Sequence, residues 1–153
     1  GLLMKKISGL IFFLFLFLNN NIVLAEKNMK INIADLWISE APPTVSVLVA
    51  YVTLINNSEK PVFLVSVSCP LFSSIEIHRS IIKNGIASMQ RHTALEIPSK
   101  STIKLSPGDY HLMLFNPKMP LKIGDMPVFI FGFSDGTQIR VKANIIKRNN
   151  RTH

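Results

Sequence analysis

Four side chains in this 153-residue sequence have the types and spacing to share one soft metal ion: His78, Met89, His111 and Met113. The first pair lies in EIHRSIIKNGIASMQ, residues 76–90, where Asn84-Gly85 is a strong signal for a two-residue hairpin loop. With that loop, Lys83 faces Ile86, His78 faces Arg91 and Ser80 faces Met89. Met89 then becomes the same-face diagonal neighbour of His78, about 7–8 Å away between backbones, within reach of two long side chains. The second pair, in YHLML (110–114), stands at i and i+2, so a strand sends both side chains to one face. Each pair converges, but sequence alone does not bring the hairpin beside the third strand. Neutral thioethers suit copper(I) far better than zinc, calcium or magnesium, which prefer thiolate, imidazole or oxygen. In an oxidising compartment a thioether also keeps a soft donor without forming disulfides. Taken singly, each of the four reads as ordinary packing or surface; their shared faces set a metal reading beside that one.

The elements that must position these residues are strands. β-Branched, often alternating runs occupy 45–56, 61–69, 74–82, 86–97, 101–106, 110–115, 126–134 and 137–146. Turn signals separate them: Asn56-Asn57-Ser58, Asn84-Gly85, Pro98-Ser99-Lys100, Pro107-Gly108-Asp109, Asn116-Pro117 and Asp135-Gly136. No helical period stands out after residue 25. Seven to nine short strands at close spacing predict an all-β Greek-key sandwich or barrel.

Residues 1–25 read as a secretory signal peptide, with Gly1-Leu2-Leu3 as extra residues before an initiator Met4. Lys5 and Lys6 give the basic start, 7–18 the apolar run, and Val23-Leu24-Ala25 the small-residue exit. The run is shorter than the roughly 20 residues of a spanning helix. Residues 26–146 then form one domain, and 147–153 a basic, frayed tail. Lys5 and Lys6 fall in the leader, so 15 of the 17 Lys and Arg remain against nine acids, a net charge of +6. That balance suits an anionic membrane surface or an acidic partner, and export argues against nucleic acid. Cys69, the one cysteine, has no partner for an internal disulfide.

The motif and its surroundings resemble the periplasmic PCu(A)C copper chaperones. His78, ten residues, Met89, twenty-one residues, His111, one residue and Met113 follow that family's ligand spacing. IADLWISEAPPTVSVLVAYVTLINN (33–57) is similar to its opening, SIEIHRSIIKNGIASM (74–89) to its first ligand hairpin, and 96–125 to its second ligand segment. The likeness runs over about residues 30–145. It implies a cupredoxin-like β-sandwich that binds one Cu(I) through His78, Met89, His111 and Met113, and that is not an enzyme. It further implies delivery of copper to the CuA centre of cytochrome c oxidase, with the CuA-bearing subunit or a Sco-like thiol protein as recipient. A periplasmic monomer is expected. The sequence departs from many relatives, which carry a further methionine near the first histidine or the central methionine; Arg79, Ser80, Ser88 and Gln90 stand there instead.

His92, adjacent to Arg91, points to the face opposite His78 and is a non-ligand. Cys69 lies nine residues before His78, unlike the crowded Cys-His-Met loop of blue-copper proteins, and reads as a buried structural thiol. Met119 and Met126 flank PLKIGD and read as packing before auxiliary ligands; His153 is the tail's one donor. Trp37 reads as core. Arg79 and Arg91 are expected at the rim of the site, where they would attract an acidic recipient. Neither a nucleophile elbow nor a Gly-rich phosphate loop is present, so catalysis finds little support. The alternative is an exported β-sandwich binding or assembly module without metal.

Overall fold

The computed structural model describes residues 30–147, and all regular structure in them is β. Eleven strands are formed: β1 Ile31–Ser39, β2 Val47–Asn56, β3 Val62–Ser68, β4 Ser74–Lys83, β5 Ile86–His92, β6 Leu95–Ile97, β7 Ser101–Leu105, β8 Tyr110–Phe115, β9 Val128–Phe133, β10 Gln138–Lys142 and β11 Asn144–Ile146. One sheet has the order β11-β1-β2-β8-β4-β5, with β7 also paired to β2; the other has the order β10-β9-β3-β6. The β1–β11 pair is parallel and the remaining pairs are antiparallel.

Period-two alternation puts the core between the sheets. In β2, Leu48, Ala50, Val52 and Leu54 are buried, while the residues between them are half-buried on the other face. Across from them stand Leu64 of β3 and Phe129 and Phe131 of β9, each fully buried. Each such side chain contributes roughly 1.5–3 kcal/mol through burial. Leu112 and Leu114 of β8 and Ile77 of β4 belong to the same core. Their neighbours in sequence, His111, Met113 and His78, therefore face away from the second sheet.

The all-β sandwich agrees with the sequence reading, and four details differ. β1 had no counterpart among the expected strands, because its pattern is broken by a bulge between Ala34 and Trp37, with Asp35 at φ 52°. The run 86–97 is two strands: β5 pairs with β4 in one sheet and β6 with β3 in the other. The run 137–146 divides in the same way at the buried Ala143. A strand that changes sheets must break its ladder, and here short uncharged residues, Thr93-Ala94 and Ala143, fill the corners. Met119 and Met126, expected to pack, are both more than half exposed in the 116–127 loop. The proposed leader and His153 lie outside the described residues.

Candidate metal centre

The Asn84-Gly85 turn has φ 53° and 72°, the two left-handed residues a type I′ hairpin requires. The register it sets is the one the sequence gives reason to expect: His78 opposite Arg91 and Ser80 opposite Met89. Pairing of β4 with β8, which no local sequence signal encodes, sets His78 directly opposite His111 and Glu76 opposite Met113. All four candidate ligands thus occupy one face of three adjacent strands, β5-β4-β8. The two imidazole centroids are 6.1 Å apart.

Their surroundings differ. His111 is 4% exposed, and Met113 is half-buried between Val49 of β2 and Glu76 of β4. Met89, on the edge strand, is 58% exposed. Three ligands are therefore held on paired inner strands, and the fourth sits on a hairpin arm with one neighbour.

Hydrogen bonds fix the chemistry of the rings. His78 Nε2 lies 2.8 Å from Glu76 Oε2, and His111 Nδ1 lies 3.1 Å from the Asp109 carbonyl. Both oxygens only accept, so each of these nitrogens donates, and the other nitrogen of each neutral ring keeps a bare lone pair. Those atoms, His78 Nδ1 and His111 Nε2, are buried and have no hydrogen-bond partner. A buried polar atom without a partner costs about 1–3 kcal/mol, and a soft metal would satisfy both. This donor set, two neutral imidazoles and two thioethers, fits copper(I).

Glu76 was not singled out from sequence, although its position two residues before His78 on a strand places it on the ligand face. Its second oxygen, Oε1, is 3.4 Å from Arg91 Nη1. The same alternation puts Arg79 on the opposite face from His78, which corrects its expected place at the rim. There its guanidinium lies 4.8 Å from the Tyr110 ring centroid and pairs with Asp109 at 3.1 Å. His92 lies on that opposite face, as its adjacency to Arg91 leads one to expect, edge-on to Tyr110 at 5.2 Å. Cys69 is buried in the core, and burial pushes its thiol pKa up, only partly offset by a hydrogen bond from the Leu71 backbone. It stays a protonated, inert thiol. Trp37 is buried as expected, its ring 4.7 Å from that of Tyr51 and tilted by 39° to it, outside the main core cluster.

The fold matches the "Copper-bound PCuAC domain from PmoF2", with a TM-score of 0.66, 19% identity, and coverage of 77% of this chain and 93% of that one. The solution structure of CuI-DR1885 from Deinococcus radiodurans matches with a TM-score of 0.60, 29% identity, and 77% of each chain covered. The likeness to PCuAC domains read from the ligand spacing is borne out, and the fold is cupredoxin-like. In sequence, the "Uncharacterized protein RP573" of Rickettsia prowazekii is 34% identical over 100 residues, 65% of this chain and 55% of that protein. The chain covers between 55% and 64% of the length of the two curated relatives it matches. Residues 31–145 match the family described as "Putative lipoprotein LpqE-like", and the chain belongs to this LpqE-like family.

Proposed function

We propose that this protein is an exported copper(I)-binding chaperone that holds one ion between His78, Met89, His111 and Met113 and passes it to a partner. The observation that carries the reading is the pair of bare, buried nitrogens on directly opposed histidines, on the face that also bears the two methionines. The copper-loaded state of DR1885, which shares this fold at 29% identity, supports it. A periplasmic location fits the expected leader and the lipoprotein description of the family. The protein binds and transfers rather than catalyses. It acts as a monomer whose +6 charge draws it toward anionic membrane surfaces.

Delivery to the CuA centre of cytochrome c oxidase, directly or through a Sco-like thiol protein, is the destination proposed. Exposed Met89 is the ligand an incoming thiolate would displace first, since a neutral thioether on an edge strand yields to an anionic sulfur.

The test is anaerobic Cu(I) titration against a chromophoric chelator, with Met113→Leu and Met89→Leu. Leucine keeps the volume and removes the sulfur, so apo stability should change by less than about 1.5 kcal/mol. Affinity should fall in both, and further in Met113→Leu, because Met113 is held between two neighbouring strands while Met89 must first be ordered. Wild-type affinity in both variants would remove the thioethers from the site. An absence of competition by the wild-type protein would favour a metal-free binding module.

A further inference from the structure

The two histidines present unlike nitrogens to the shared face, and a carboxylate decides which one His78 offers. Glu76 Oε2 accepts a hydrogen bond from Nε2–H of His78 at 2.8 Å, leaving Nδ1 bare; the Asp109 carbonyl accepts one from Nδ1–H of His111 at 3.1 Å, leaving Nε2 bare. A neutral imidazole carries one N–H, so each ring is held in a single tautomer, and the two tautomers are opposite. Glu76 is itself held, because Arg91, directly across β5 from His78, contacts Oε1 at 3.4 Å. Arg91 thus occupies one carboxylate oxygen while the imidazole occupies the other.

We propose that Glu76, braced by Arg91, is a positioning residue that locks His78 in its Nε2–H tautomer, so that copper(I) is bound through Nδ1 of His78 and Nε2 of His111. This rests on the copper-binding reading above. Glu76 never touches the metal: it orients the ring and, as a carboxylate accepting its N–H, makes the opposite nitrogen a stronger donor. The Glu76–Arg91 pair also ties edge strand β5, which carries Met89, to β4, which carries His78.

The experiment is long-range proton–nitrogen NMR of the histidine rings in the 15N-labelled apo protein at neutral pH, combined with Cu(I) competition titration, for wild type, Glu76→Gln and Glu76→Leu. Wild type should show protonated Nε2 in His78 and protonated Nδ1 in His111. In Glu76→Leu the His78 pattern should become mixed or reverse, and Cu(I) affinity should fall about 10–100-fold. The His111 pattern should persist and report an intact fold. Glu76→Gln keeps an acceptor without the charge and should recover part of both signals. A wild-type His78 protonated at Nδ1 would overturn the inference, as would unchanged tautomer and affinity in Glu76→Leu; either result leaves copper binding standing. Failure of the wild-type protein to bind Cu(I) while showing the expected tautomers would instead overturn the copper reading and the metal-bound half of this inference with it.

Discussion

Replacing His111 by Leu should abolish useful copper binding without weakening the fold. The imidazole is 4% exposed, donates from Nδ1 to the Asp109 carbonyl, and leaves Nε2 buried with no protein partner. In the apo protein that hydrogen bond contributes about 0.5–1.5 kcal/mol, while the partnerless atom costs about 1–3 kcal/mol. Leucine forfeits the first and removes the second. Apo stability should therefore be unchanged or rise by about 1 kcal/mol, as measured by urea denaturation. Loss of an outer-shell partner commonly costs 10–100-fold in metal affinity, so loss of a direct ligand should cost more than about 100-fold. A large fall in apo stability would show that the imidazole is there for packing.

The largest loss of stability at a polar residue should follow Asn56→Leu. Asn56 is fully buried at the end of β2, and the two N–H groups of its Nδ2 are shared among the carbonyls of Lys60, Ile97 and Pro98 at 2.8, 3.0 and 3.1 Å. Its Oδ1 accepts from the Ser58 backbone N–H at 2.9 Å and from the Ser58 hydroxyl at 2.7 Å. One amide thereby joins the end of β2, in the larger sheet, to the end of β6, in the smaller. Leucine fits the volume but strands these partners, each buried one at a cost of about 1–3 kcal/mol. The expected loss is about 3–5 kcal/mol, with a fall in Tm of roughly 10 °C or more. The site should be spared, because β2 meets β8 through Val47–Ala50, at its opposite end. Cu(I) affinity of the folded variant should match wild type. A change below about 1 kcal/mol would mean that water replaces the amide at no cost.

What the sequence made legible was local. Asn84-Gly85 defined a turn type, the turn defined a register, and the register put Met89 beside His78 on one face. The i, i+2 spacing did the same for His111 and Met113. The contact between these pairs was not legible, because β4 and β8 meet across some thirty intervening residues and no nearby signal encodes that pairing. Glu76 and Arg79 were legible in principle, since the alternation that orients His78 places Glu76 on its face and Arg79 behind it. Asn56 read only as the end of a strand and the start of a turn; its bonds to Ile97 and Pro98 depend on how the two sheets stack. The corners at Thr93-Ala94 and Ala143 were missed because the apolar pattern continues through them while the backbone changes sheets.

Two imidazoles and two thioethers from β4, β5 and β8 are proposed to hold one copper(I). X-ray absorption at the copper edge of the Cu(I)-loaded protein counts those ligands. The first shell should hold two nitrogen and two sulfur scatterers, reduced to one sulfur in Met113→Leu. A shell of nitrogen and oxygen alone, or a sulfur count unaffected by loss of both Met89 and Met113, would contradict it.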